Sequence, residues 1–364
     1  MGRMFPLRTT IDLGAIAHNT RRLKEQAGEA KLMCVVKADA YNHGVEKCVP
    51  VMDRNGADAF GVATLAEACR VREVTQKPVL AWLWSIHEEL PEGIDLGAPS
   101  VAHLQLLIDE PTHRTVYLMV DTGMHRSGID EPEWEAAFKM AFEADQAGKI
   151  EVAGLMTHLA CADNPVDPYT DFQAENFRKA IEAARAAGLR VERNHMANSP
   201  ATWTRKDLHF DMVRPGVSLY GLEPVAGLDH DLKPAMTWVG QVIAVKPMKQ
   251  GEATSYARTW EAPEDGYTAV IPAGYADGVH RSWQGALEIA INGQTYTQVG
   301  RVSMDQIVVW LGANEHNVQA GDEAVIFGAD GRSATDLAKA AGTINYEVVC
   351  APEGRTLRTY VGEE

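Results

Sequence analysis

Between residues 30 and 222 a single rhythm governs the chain: a short apolar run, a turn-like Gly, Asp, Asn or Pro, then an amphipathic stretch of helical period. Eight runs read as strands: LMCVVKA (32–38), AFGVAT (59–64), PVLAWLW (78–84), IDLGAP (94–99), TVYLMVD (115–121), VAGLMTH (152–158), RVERNHMA (190–197) and MVRPGVSLYG (212–221). Helix candidates lie between them at 45–56, 65–74, 101–110, 131–148 and 169–188, most with a Gly at or just past the end as a C-terminal cap. Eight strands alternating with helices over about 200 residues fit an α/β fold, an N-terminal (β/α)8 barrel of the TIM type. The rival is an open doubly wound sheet, which usually carries a Gly-rich phosphate fingerprint after its first strand, and this chain has none there.

Beyond Gly221 the texture changes. Val-, Ile- and Thr-rich segments such as AMTWVGQVIAVKPM, YTAVIPAG, ALEIAING and SMDQIVVWLG are split by Gly and Pro turns, with no long helical pattern until SATDLAKAAG. This reads as a C-terminal, mainly antiparallel β-domain, and the early strand-like RTTIDLG could pair with it. The expected domains are therefore a barrel over 10–228 and a β-domain over 229–364 that takes in residues 1–9. A length of 364 residues suits such a division.

The formal net charge of −16 argues against a nucleic-acid or anionic-membrane partner, since either requires a basic face. The five cysteines are odd in number and scattered through apolar segments, which predicts reduced core thiols and a cytoplasmic protein. MGRMFPLRTT holds no apolar core of signal-peptide length, and no run approaches membrane-spanning length.

In a barrel, catalytic groups sit at the C-terminal ends of the strands. The polar residues there are Lys37, the loop Asp121 to Arg126, His158, Asn198 with Ser199, and Arg214 with Gly216. Lys37 is either a strand-end lysine paired with Asp39 or a desolvated amine able to form a Schiff base. RPGVSLYG is either a plain loop or a phosphate cradle, in which Gly216 lets backbone N–H groups approach. His158 could be a core histidine; with Cys161 it lacks a second ligand pair, which speaks against zinc or another metal. Gly123 and Gly128 flank Arg126, as if to aim it. In the β-domain, Tyr256 in ATSYARTW could be an ordinary sheet tyrosine, and Met304-Asp305 in RVSMDQ occupies a turn. The residues alone lead to a barrel enzyme with a candidate lysine imine and a candidate phosphate site.

Taken together, VVKADAYNHG, FGVATLAEA, VDTGMHRSG, THLACAD, NHMANSP, MVRPGVSLYG, TSYARTW, PAGYADG, GRVSMDQ and TINYEVVC occur in one order along the chain. In that order they resemble the alanine racemase family, pyridoxal 5'-phosphate enzymes with a barrel and a C-terminal β-domain. The resemblance implies that Lys37 holds the cofactor as an imine and is the base for the D-enantiomer. Tyr256 would be the opposite base, acting on the L-enantiomer and reaching the site from the partner subunit of a homodimer. Tyr41, Ser199, the backbone of Gly216 and Val217, and Tyr346 would grip the phosphate, with Asn198 beside them. Arg214 would face the pyridine nitrogen with His158 behind it. Arg126 would approach the cofactor's phenolic oxygen and the substrate carboxylate. Met304, through its backbone, and Asp305 would come from the partner subunit near that carboxylate. Two bases on opposite faces are the minimum direct solution for racemisation, and the implied product is D-alanine for cell-wall peptidoglycan.

The chain departs from the family pattern at three places. Met119 stands where many members carry a lysine that helps to hold the arginine here numbered 126, so another holder, such as a bound chloride, is expected. Asn42 replaces a frequent glycine and Ser303 a frequent cysteine. The rival functions are a broader amino-acid racemase acting on serine, a fold-related decarboxylase, and a non-catalytic pyridoxal-phosphate carrier. A decarboxylase should lack the TSY and SMDQ pair, and a carrier needs neither a second base nor a β-domain.

Overall fold

The computed structural model describes residues 6–362, so the expectation drawn from MGRMFPLRTT falls partly outside the described residues. The chain divides into two compact units. One comprises Ile16–Ala40 with Gly44–Leu232, and the other Met1–Ala15, Tyr41–His43 and Lys233–Glu364.

Strand β1 (Leu7–Asp12) belongs to the second unit. The first unit is built on β2 (Lys31–Val35), β3 (Ala59–Val62), β4 (Val79–Ala81), β5 (Asp95–Ala98), β6 (Arg114–Met119), β7 (Ile150–Met156) and β8 (Met212–Val213). These seven form one parallel sheet in the order β7-β6-β5-β4-β3-β2-β8. Their residues are almost all buried, as expected of strands covered on both faces, which is why they appear as continuous apolar runs. Met33, Leu80, Tyr117, Met156 and Met212 fill the interior, with Trp82 and Met119 packed against them. Met119 therefore serves apolar packing.

The barrel expectation holds, with one correction to its strands. RVERNHMA forms no strand; it is reduced to a bridge between Met156 and His195. The segment still closes the ring, because His195 N donates to Leu155 O (3.0 Å) and Arg214 N donates to Ala197 O (2.8 Å). The ladder is lost where the Asn194 side chain replaces it: its Oδ1 accepts from Leu155 N (3.0 Å), while its Nδ2 donates to Val191 O (2.9 Å) and Asp211 Oδ2 (3.0 Å). A short polar side chain that bonds to nearby backbone competes with regular pairing. MVRPGVSLYG likewise contributes only Met212–Val213 as strand, since Pro215 cannot donate, and a tight turn over Val217–Tyr220 follows.

The second unit holds a nine-stranded sheet. In it β1 pairs in parallel with Leu357–Val361 and antiparallel with Met236–Gln241, and the remaining pairings are antiparallel. Trp238 and Phe327 meet edge to face in its core, with ring centroids 5.8 Å apart. The cysteine expectation needs a correction: of the five, only Cys34 and Cys48 are buried. Cys69, on the helix Leu65–Arg72, and Cys350, at the end of Asn345–Cys350, are exposed. An apolar neighbourhood in sequence did not reveal which helix face each would occupy.

Candidate active site

Lys37 lies two residues past the end of β2, and the backbone then does something unusual. Ala38, Asp39, Ala40, Tyr41 and Asn42 all have positive φ, between 52° and 65°, and so make a turn of left-handed helix. For L-residues this conformation costs roughly 1–2 kcal/mol each, so it persists only where the surroundings over-determine it.

Those surroundings are identifiable. In the barrel unit Glu67 accepts from Ala38 N through Oε1 (2.7 Å), and its Oε2 accepts from Thr64 N (3.0 Å) as half of a capping box. Asp39 Oδ1 accepts from Val45 N (3.1 Å) and from Arg70 Nη2 (2.9 Å), and Asp39 O accepts from Gly44 N (2.9 Å). In the second unit Asn42 Nδ2 donates to Pro352 O (2.7 Å), and its Oδ1 accepts from Arg358 Nη2 (2.6 Å). The buried His43 ring bonds Tyr41 O through Nδ1 (2.8 Å). Asp39, Asn42, His43 and Gly44 thus hold the strained turn that follows the lysine.

Arg214 is 6% exposed; one end nitrogen donates to Thr157 O, and Nε has no partner. Among the described residues no carboxylate pairs with it. Burial, and then the Arg126 charge, lower its pKa to about 10. His158, just past β7, is pushed down to about 3 by burial and by the charges of Arg214, Arg126 and Lys37. Its ring is therefore uncharged near neutral pH. The charges of Arg214, Arg126 and Lys37 thus lie near a neutral imidazole in the barrel unit's site. Arg126 itself is exposed. Its loop is shaped by Gly128, at φ 125°, where a Cβ would come within 2.5 Å of Asp121 N.

His158 also sets a pH dependence. The unfolded chain protonates this histidine near 6.5 and the folded chain only near 3, so below about pH 6.5 the unfolded state binds the extra proton. Stability should then fall as pH is lowered from 7 to 5, at up to ~1 kcal/mol per pH unit. Urea unfolding at both pH values should show a smaller loss for His158→Gln than for the native chain; equal losses would contradict the assignment.

Ser199 Oγ accepts from Gly216 N (2.8 Å), which leaves the serine's own hydrogen to donate to an incoming acceptor. Asn198 caps the short helix Ser199–Thr204 through Ala201 N (3.3 Å), and Val217 opens the turn beyond Gly216. Sequence reasoning missed His195. It is wholly buried, with its ring 5.0 Å from that of Tyr117 and neither ring nitrogen partnered. Burial and then the Arg214 charge push its pKa well below the usual range. Its place inside NHMANSP was the only available signal.

In the second unit Tyr41 is buried with its ring 6.1 Å from that of Tyr346, and burial followed by Tyr346 raises its pKa. Tyr256 is 71% exposed, on the connection between Ala253–Thr254 and Trp260–Glu261. Met304 is 51% exposed in a turn where Ala276 N donates to Met304 O (3.0 Å), and Asp305 Oδ1 accepts from Arg355 Nη1 (2.8 Å). Among the described residues no cluster of His, Cys, Asp or Glu could hold a metal ion. Among the same residues no helix is long and apolar enough to cross a membrane.

The donor set fits pyridoxal phosphate. A buried guanidinium with an unpartnered Nε and no carboxylate suits a neutral ring nitrogen as acceptor, and the Ser199 hydroxyl has a hydrogen to offer a phosphate.

Comparison with known proteins gives a consistent result. Residues 11–224 match the family model described as alanine racemase, N-terminal domain, and residues 235–360 match alanine racemase, C-terminal domain. An alanine racemase of Corynebacterium efficiens is 58% identical over 98% of this chain and 99% of its own length. One from Mycobacterium tuberculosis is 44% identical over 96% of this chain and 94% of its own. The crystal structure of alanine racemase from Corynebacterium glutamicum superposes with a TM-score of 0.90 at 53% identity, covering 98% of this chain and 100% of that one.

Proposed function

The chain belongs to the alanine racemase family, and on that premise we propose that it uses pyridoxal 5'-phosphate with Lys37 and Tyr256 as its two bases. It is an isomerase that interconverts L- and D-alanine. The observation that carries the cofactor reading is Arg214, a buried guanidinium without a carboxylate beside a neutral His158.

Bound pyridoxal phosphate withdraws electrons from the α-carbon of an attached amino acid and so acidifies its α-hydrogen. Lys37 Nζ would hold the cofactor until the substrate's amine displaces it, and the freed lysine amine would then take or return that proton on the face presented by D-alanine. The Tyr256 hydroxyl does the same on the opposite face. Arg214 would donate to the ring nitrogen and, being protonated itself, would oppose protonation there, with the neutral His158 behind it. Tyr41, Asn198, Ser199, Tyr346 and the backbone of Gly216 and Val217 would hold the phosphate. Arg126 and the Met304–Asp305 turn meet the substrate carboxylate. The exposure of Tyr256 and Met304 in a single chain supports their serving a second copy, in a homodimer with shared sites. D-Alanine would be made in the cytoplasm, in keeping with cysteines that are odd in number and scattered along the sequence, and used for peptidoglycan.

The test is to purify the holoenzyme, reduce it with borohydride and map the added mass, then follow α-deuterium exchange with L- and D-alanine, serine and lysine. The cofactor mass should lie on Lys37, and both enantiomers of alanine should exchange and interconvert. A reduced chain without added mass would overturn the cofactor assignment, exchange without interconversion the two-base mechanism, and faster turnover of serine the preference for alanine.

A further inference from the structure

Three turns of the second unit meet around one buried carboxylate. Asp277 is wholly buried and receives Arg355 in a two-point pairing, Nε to Oδ1 (2.7 Å) and Nη2 to Oδ2 (2.8 Å). Its Oδ2 also accepts from Gly274 N (3.0 Å), and its carbonyl accepts from Glu353 N (2.9 Å). The remaining arm of Arg355, Nη1, donates to Asp305 Oδ1 at 2.8 Å. Backbones approach so closely that only glycine fits. A Cβ on Gly274 would lie 2.2 Å from Met304 O, on Gly278 1.8 Å from Ala351 O, and on Gly354 2.1 Å from Ala276 O. The turns 274–278, 303–305 and 351–355 are thereby locked as one body.

This lock decides which groups of the Met304–Asp305 turn remain to face a ligand. The carbonyls of Ser303 and Met304 are both engaged, by Tyr275 N and Ala276 N at 3.0 Å each. The Asp305 carboxylate is drawn back onto Arg355. Among the described residues the N–H groups of Met304 and Asp305 have no acceptor, and that of Met304 is a donor suited to an anion.

We propose that Arg355, braced by the buried Asp277, is a positioning residue for substrate binding. It turns the Asp305 carboxylate away so that the Met304 N–H meets the substrate carboxylate without a like charge beside it. The inference rests on the reading that the Met304–Asp305 turn faces that carboxylate. Removing the guanidinium frees an anion next to an anionic group of the substrate, and binding suffers while proton transfer at Lys37 and Tyr256 does not.

The test measures KM and kcat for both alanine enantiomers, and the inhibition constant of propionate as a carboxylate-only probe, in Arg355→Gln, Asp305→Asn and the double variant. Arg355→Gln should raise KM and the propionate constant about tenfold, with kcat changed less than about threefold. Asp305→Asn in the same chain should bring both back close to native values. Added salt should narrow the gap by screening. Arg355→Lys keeps the charge without the two-point hold, should give intermediate values with the same rescue, and serves if Arg355→Gln fails to fold. A thermal midpoint that falls without KM rescue by Asp305→Asn would mean a merely structural role and overturn the proposal. A KM moved by Asp305→Asn but not by either Arg355 variant would also overturn it. If no variant moves KM or the propionate constant, the placement of the turn against the substrate is itself wrong.

Discussion

Lys37→Ala should abolish racemisation in both directions, with a fall in kcat of at least ~10⁴-fold, because one substitution removes both the proposed covalent hold on the cofactor and one of the two proposed bases. The loss should be chemical and not structural. Lys37 lies beyond the last residue of β2, and the groups that secure the turn after it, Glu67, Asp39 and Asn42, are untouched by the change. Circular dichroism and the thermal midpoint should therefore stay close to native, while borohydride no longer fixes the cofactor to the chain. A small primary amine such as methylamine, supplied in solution, should restore part of the rate by taking over the missing nitrogen. Undiminished turnover in Lys37→Ala would remove the lysine from the mechanism. Inactivity with a collapsed fold would instead transfer its role to the stability of the turn, and Lys37→Arg would then separate charge from chemistry.

What was legible in the sequence divides along physical lines. The barrel rhythm was visible because strands buried on both faces must be apolar throughout and helices must be amphipathic, so the period itself carries the fold. The seventh strand was misjudged because RVERNHMA has strand composition, and nothing local reveals that the Asn194 side chain takes over its ladder bonds. The left-handed turn after Lys37 was invisible for a related reason. No glycine occurs over residues 38–42 to signal positive φ, and the partners of Asn42 lie about 310 residues away in sequence. Asp277 and Arg355 each look like an ordinary surface charge, and only their meeting across 78 residues lets Asp277 be buried, against an arginine that itself stays exposed. Long-range pairing, unlike periodicity, leaves no trace in a short window. Asn42 itself is intelligible afterwards, since asparagine tolerates the left-handed region and its amide has both a donor and an acceptor to place.

Tyr256→Phe should separate the two half-reactions. With the hydroxyl gone, L-alanine loses the group that takes its α-proton, and its deuterium exchange should fall by ~10²–10⁴-fold. D-Alanine still presents its α-hydrogen to Lys37 and should keep exchanging with solvent, so the variant becomes an exchange catalyst for one enantiomer and scarcely a racemase. The backbone around Tyr256 makes the substitution a clean one. Ser255 has φ 64° and ψ −179°, a region held almost only by glycine, and Ala257 and Arg258 follow at φ 61° and 50°. A tyrosine set between strained non-glycine residues is placed by its backbone more than by packing of its ring, which is 71% exposed. Phenylalanine should therefore occupy the same position without disturbing the fold, and only the oxygen is lost. Both proposed bases thus sit beside residues of positive φ, 38–42 after Lys37 and Ser255, Ala257 and Arg258 around Tyr256. Ser255→Gly relieves strain without touching a reacting atom. It should raise the thermal midpoint while lowering the L-alanine exchange rate more than the D-alanine rate, because a relaxed loop holds the hydroxyl less firmly. Equal exchange of both enantiomers by Tyr256→Phe would show that the second base lies elsewhere. A Ser255→Gly variant as fast as native with L-alanine would show that the strain does not place it.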